Sequence, residues 1–172
     1  PTSSCSDSHF HVGIGLDPPQ EAQQSYSYGQ KHQNGWLQDF KLFGEDYKGE
    51  DTYTNKNVKI HKNGVQHMID IIMQSQEIVT LICIGPLTNI GAALQMEPAI
   101  RNKVRIVCMA GSVRYGYDLS STIAAEYNVR KDVKAAQDVF GTKWAEPLIV
   151  TPLDTCGIVR FEGSQFQKLI ES

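Results

Sequence analysis

From residue 58 onward the apolar positions alternate between a helical and a strand-like order. Val65, Met68, Ile69, Ile72 and Met73 stand at i, i+3, i+4, i+7 and i+8, which marks one face of a helix. The run Ile78-Val79-Thr80-Leu81-Ile82-Cys83-Ile84 predicts a buried strand that stops at Gly85-Pro86. A proline suits a helix start, where its missing N–H costs nothing, and Leu87, Ile90, Ala93 and Leu94 give the following helix a buried stripe. Val104–Met109 predicts a second strand, ending at Ala110-Gly111-Ser112. Asp132 is placed to cap a helix whose inner face is Val133, Ala136 and Phe140. Pro147-Leu148-Ile149-Val150 predicts a third strand, and Ser164 a cap for a last helix through Phe166, Leu169 and Ile170. Strands alternating with helices predict right-handed βαβ units, and so an α/β fold with a mostly parallel sheet flanked by helices.

Residues 1–57 show no such order. Gln20 to Gly35 is rich in Gln, Ser, Tyr, Gly and His, and so long a structureless stretch is uncommon inside a compact domain. It reads as a loop lying over a partner, or as a segment whose packing partners lie outside this chain. Trp36, Leu37, Phe40, Leu42 and Phe43 predict a short packed element. With no internal repeat and no long linker, residues 1–172 read as part of a single domain, irregular over 1–57 and regular over 58–172.

Size and charge narrow the classes. A chain of 172 residues can bury roughly 70% of its unfolded surface. A net charge of −3 without a basic stripe gives no footprint for nucleic acid. The longest apolar stretch is far short of the ~20 residues of a membrane helix, and no signal peptide is visible. Cys5, Cys83, Cys108 and Cys156 form no Cys-x-x-Cys pair, and no His cluster completes a zinc site; they read as reduced thiols, which leans cytoplasmic.

Candidate chemistry sits where α/β sheets build ligand crevices, at the carboxyl ends of strands. The Gly85-Pro86 turn leaves the Ile84 carbonyl without a ladder partner, and a free main-chain oxygen suits a hard cation such as calcium. A tight turn with no ligand is the plainer reading. The turn has neither Gly-x-Gly-x-x-Gly nor a Gly-Lys-Ser/Thr ending, which argues against a dinucleotide or P-loop phosphate site. Glu126 and Asn128 are two apart, a spacing that in an extended segment puts both on one face. A carboxylate beside an amide can hold neighbouring hydroxyls, as sugar recognition requires; a solvated loop is the alternative. Met109, at the end of the second strand, reads as core filler, the usual role of a methionine there. Asp154 is either catalytic or the anchor of a turn. The pair His9-x-His11 is weak as a metal motif.

Taken together, Ile84-Gly85-Pro86-Leu87-Thr88-Asn89-Ile90, Met109-Ala110-Gly111, Ala125-Glu126-Tyr127-Asn128-Val129, Asp132 with Ala135-Ala136, and Pro152-Leu153-Asp154 resemble the inosine-uridine-preferring nucleoside hydrolase family over about two thirds of the chain. The resemblance implies a Rossmann-like fold and a calcium-dependent hydrolase that splits ribonucleosides into base and ribose. In that family an Asp activates a calcium-held water to attack the anomeric carbon. Carried over, the Ile84 carbonyl would be a calcium ligand, Glu126 and Asn128 would bind ribose hydroxyls, Met109 would line the ribose pocket, and Asp154 would be structural. The family commonly forms dimers or tetramers, so a homo-oligomer is implied.

The chain departs from the pattern at several points. The family's Asp-x-Asp-x-Gly-x-Asp-Asp after the first strand, source of most calcium ligands and of the base, is absent, and its late His-Asp pair would lie beyond Ser172. Ala110-Gly111 replaces Gly-Gly, the loop Ser112–Ala124 is longer, and Tyr117, Asp118 or Ser120 stands where the family has Gly-Asn. The segment before Val58 matches poorly. No catalytic residue is therefore assigned. The expectation is an internal piece of a longer nucleoside N-ribohydrolase, inactive by itself; the alternatives are a truncated subunit and a non-catalytic interaction or structural protein.

Overall fold

The computed structural model describes residues 10–13, 15–16, 52–55, 58–159 and 163–170. Three short strands come first: β1 (Phe10–Gly13), β2 (Thr52–Asn55) and β3 (Val58–His61). They form one sheet in the order β1-β3-β2, with β1 parallel and β2 antiparallel to β3. This corrects the reading of 1–57 as wholly irregular. Strands of four residues are shorter than the windows over which hydrophobic periodicity becomes visible. The stretches 20–35 and 36–43 lie outside the described residues.

Helix α1 (Gly64–Gln74) follows, capped by Asn63, whose Oδ1 accepts the Gln66 N–H at 3.1 Å. Its predicted face is the buried one: Val65, Ile69 and Ile72 are in the core, with Met68 and Met73 packed beside them. Next come β4 (Val79–Cys83), α2 (Thr88–Met96), a 3-10 turn (Pro98–Asn102) and β5 (Val104–Met109). Then follow α3 (Tyr127–Lys131), α4 (Val133–Gly141), β6 (Ile149–Thr151), α5 (Leu153–Cys156) and α6 (Gly163–Ile170). Strands β4, β5 and β6 make a second, parallel sheet in that order, with Cys83 opposite Cys108 and Cys108 opposite Val150.

The core lies on one face of this sheet. Leu81 and Cys83 of β4 and Val104, Ile106 and Cys108 of β5 pack against Ile69, Ile72, Ile90, Ala93, Ile100, Ala136 and Val139. Helices α2 and α4 approach closely, since a Cβ on Gly91 would stand 2.8 Å from that of Ala135. That contact sets the phase of α4. Its buried residues are Ala135, Ala136 and Val139, while Val133 and Phe140 of the expected inner face are exposed. Small side chains win the contact because they allow the two backbones to close.

Strand β4 is likewise not buried on both faces. Ile82 is 75% and Ile84 81% exposed, and register places Ile82, Val107 and Ile149 in one row on the side away from the core. Asp132 caps α4 as expected, accepting the Ala135 N–H at 3.0 Å. Ser164 lies inside α6, which begins at Gly163, and so is not its cap. Among the described residues no helix is long and apolar enough to cross a membrane.

Candidate functional site

The carboxyl ends of β4, β5 and β6 lie side by side. The β4–β5 ladder stops at Cys83 opposite Cys108, so Ile84 comes next to Met109, which in turn faces Thr151. Outside the strands, no described main-chain N–H donates to the Ile84 oxygen. A cleft of about 350 Å³ opens beside it, lined by Leu16, Ile82, Gly85, Thr88 and Asn89 among others. The Leu16 N–H donates to Asn89 Oδ1 at 2.7 Å, which ties the residues after β1 to the turn after β4.

Glu126 and Asn128 are not in an extended segment. Glu126 is the N-cap of α3 and Asn128 lies in its first turn; they are 3% and 6% exposed, so a solvated loop is excluded. The Glu126 carboxylate accepts three main-chain N–H groups: Asn128 on Oε1 at 2.8 Å, and Gly111 at 3.0 Å and Val129 at 3.2 Å on Oε2. A carboxylate offers about four acceptor positions, so one remains. The Asn128 amide nitrogen donates to the Met109 carbonyl at 2.9 Å and lies 3.2 Å from Met109 Sδ. Its orientation is thereby set: a carbonyl needs a donor opposite it, so nitrogen faces Met109 and Oδ1 faces away. Met109 is half-buried and positions Asn128 rather than merely filling space.

Gly111 connects these groups. Its φ of +82° is a left-handed conformation open to glycine, and it turns the chain so that the N–H meets Glu126. Its carbonyl accepts the Leu153 N–H at 2.9 Å. One residue on, Asp154 takes the N–H groups of Val113 at 2.8 Å, Arg114 at 2.7 Å and Tyr115 at 3.2 Å. The Val113 N–H leads in holding this carboxyl below its ordinary range, with Arg114 and Tyr115 adding to it against some desolvation. Of the two roles open to Asp154, the turn anchor is what the geometry supports. Sequence pattern gave no sign of the Gly111–Glu126 bond or of this triple acceptor, because neither has a periodic signature.

The loop from Ser112 to Ala124 is tied at other points too. The Ser112 hydroxyl donates to the Tyr115 carbonyl at 2.8 Å and accepts the Ala124 N–H at 3.1 Å. The Tyr117 hydroxyl accepts the Tyr127 N–H at 2.7 Å. At the tip, Asp118 and Leu119 have φ of 54° and 59°. Asp tolerates this region, whereas an ordinary side chain costs about 1–2 kcal/mol there. Leu119→Gly should therefore stabilise the protein by roughly 0.5–1 kcal/mol after the unfolded-state entropy of glycine is counted. Thermal unfolding checks this, and a lowered midpoint would mean that Leu119 packing outweighs the strain.

Of the four cysteines, Cys5 lies outside the described residues. Cys83, Cys108 and Cys156 are free. Burial, with Cys108 adding to it, pushes Cys83 up to about 11, which keeps it protonated at neutral pH. Burial also raises Cys156, and the nearby Glu126 carboxylate adds to the effect. Among the described residues no group of three or more His, Cys, Asp or Glu side chains could hold a metal ion. The Ile84 main-chain oxygen is of the type a hard cation takes, and among the described residues no such cluster of side chains stands beside it.

A family model described as inosine-uridine preferring nucleoside hydrolase matches residues 5–172. The chain belongs to that family. The match reaches well into the segment before Val58, where the motif comparison found little. The pyrimidine-specific ribonucleoside hydrolase RihB of Escherichia coli is 40% identical over 93 residues, 54% of this chain and 28% of the relative. A putative pyrimidine-specific ribonucleoside hydrolase RihB of Shigella boydii is also 40% identical over 93 residues, 36% of its length. The crystal structure of an inosine-uridine preferring nucleoside hydrolase from Bacillus anthracis superposes with a TM-score of 0.54 at 27% identity, covering 64% of this chain and 38% of that one. The matched part of this nucleoside hydrolase family member thus spans about a third of the length of these relatives.

Proposed function

We propose that this chain is part of a ribonucleoside N-glycosidase and supplies the sugar-facing side of its pocket. The observation that carries the reading is the locked pair at the end of β5. Glu126 keeps one acceptor position and Asn128 presents Oδ1, from two buried side chains whose other polar atoms are already bonded. Two neighbouring ribose hydroxyls, both donating, fit two adjacent acceptors. The relatives' names, ribonucleoside hydrolase and inosine-uridine preferring nucleoside hydrolase, point to the same substrate class.

Each group then has a task. Asn128 and Glu126 hold the sugar in a fixed orientation, which removes rotational freedom before the glycosidic bond breaks. The Glu126 carboxylate places fixed negative charge beside a sugar that gains positive charge as the base departs, and such preorganised electrostatics lowers the barrier. Met109 holds the Asn128 amide from behind, through its carbonyl and Sδ, and so aims Oδ1 at the sugar. The Ile84 carbonyl, at the neighbouring strand end, would be a ligand for calcium. When bound, the ion would supply Lewis acidity and help to orient the sugar hydroxyls.

The test is release of ribose from uridine and inosine with calcium present, by the protein from its complete reading frame and by the 172-residue chain alone. The complete protein should turn over and the isolated chain should not. Release by the isolated chain would place the base and the whole metal site within these residues. No release by the complete protein would favour a non-catalytic member of the family.

A further inference from the structure

We propose that Asp154 is a positioning residue for the sugar pocket, fixing the loop after β5 so that Glu126 and Asn128 are already in place before substrate arrives. The inference rests on the sugar-binding reading above and extends it to a residue in a different βα turn.

Its basis is a continuous chain of bonds from β6 to the pocket. Asp154 lies in the first turn of α5, directly after β6, and faces three successive N–H groups of another loop, one on Oδ2 and two on Oδ1. Three consecutive donors in one direction are a nest for an anion, and here the side chain itself is the anion. The same turn donates Leu153 N–H to the Gly111 carbonyl. Gly111 is held from both sides, since its own N–H is the one that reaches Glu126 Oε2. The loop so pinned continues through Tyr117, whose hydroxyl meets the Tyr127 N–H directly beside Glu126. Without the Asp154 carboxylate, the Val113, Arg114 and Tyr115 N–H groups lose their shared acceptor on the β6 side. Exposed loop N–H groups turn to water, Gly111 is free to leave its left-handed φ of +82°, and Glu126 loses one of its three donors.

The kinetic consequence follows from population. If the pocket is ordered only part of the time, apparent affinity falls by the ordered fraction, while substrate once bound restores the order. Loss of Asp154 should therefore appear mainly in KM. In the protein from its complete reading frame, Asp154→Ala should raise KM for uridine or inosine roughly tenfold or more, with kcat within about twofold. Asp154→Asn keeps one oxygen for Arg114 and Tyr115 and loses the acceptor for Val113, so its KM should lie between those of the wild type and Asp154→Ala. Hydrogen exchange at the Val113, Arg114 and Tyr115 amides should accelerate in the same order.

Unchanged KM in both variants would overturn the proposal, whatever happens to thermal stability. A large fall in kcat at constant KM would also overturn it, because Asp154 would then act on the reaction itself. Should Asp154→Ala fail to fold, the graded KM of Asp154→Asn decides. A wild type that neither releases ribose from nucleosides nor binds free ribose overturns the pocket reading and this one together. A wild type that turns over normally and is matched by Asp154→Asn and Asp154→Ala overturns only this one.

Discussion

In the complete protein, Asn128→Ala should lower turnover of a ribonucleoside by roughly 100-fold, the scale for losing one preorganised contact to a reacting group. The substitution removes Oδ1, the acceptor read as facing a sugar hydroxyl. It also leaves the Met109 carbonyl without the donor it has at 2.9 Å. Stability should fall by about 1–2 kcal/mol, since a half-buried carbonyl loses its partner. The two effects separate with Asn128→Asp. That variant keeps an acceptor outward but turns an oxygen toward the Met109 carbonyl, so repulsion should displace it and activity should remain low. Parallel measurement of steady-state rates and thermal unfolding for both variants checks this. Unchanged turnover in Asn128→Ala would remove Asn128 from the pocket.

Much of the fold was legible because its elements are long and periodic. The face Val65, Ile69 and Ile72 of α1 and the span Val104–Met109 of β5 follow from spacing alone, and both are observed as expected. What was not legible depends on neighbours rather than on spacing. The positions 133, 136 and 140 and the positions 135, 136 and 139 are both compatible with a helix face. Only the close approach of Gly91 to Ala135 selects the second. Ile82 and Ile84 are as apolar as the rest of β4, and their exposure reflects what the described residues place on that side of the sheet. Strands β1 and β2 are recognised through their pairing with β3, a non-local fact.

The site shows the same division. Family likeness singled out Ile84, Met109, Glu126 and Asn128, and the structure brings Met109, Glu126 and Asn128 together while placing Ile84 at the adjacent strand end. The spacing argument reached Glu126 and Asn128 on a wrong premise: they share a site because one caps a short helix and the other begins it, and not because a strand alternates. The supporting bonds from Gly111 and Asp154 join residues 15 and about 40 positions apart in sequence, which no local window can register.

Glu126→Ala should have the largest effect on stability of any single change at the site. Three main-chain N–H groups, those of Gly111, Asn128 and Val129, lose their acceptor at once. Loss of a helix N-cap alone costs about 1 kcal/mol, and a buried donor left unsatisfied about 1–3 kcal/mol. Local relaxation lets some of these donors reach water, so a net loss of about 3 kcal/mol is expected. That corresponds to a fall of roughly 10 °C in Tm for a domain of this size. Turnover should also collapse, because the acceptor and the negative charge leave together. Glu126→Gln isolates the charge: it keeps one oxygen but turns an NH2 toward at least one of the three donors, so it should still lose stability and should not restore activity. Thermal unfolding with steady-state rates for both variants decides the matter. If Glu126→Ala unfolds within about 1 °C of the wild type, a shift well under 1 kcal/mol, Glu126 is not the node that joins α3 to the β5 loop. If Glu126→Gln is fully active, the negative charge has no part in stabilising the positive charge that the sugar gains as the base departs.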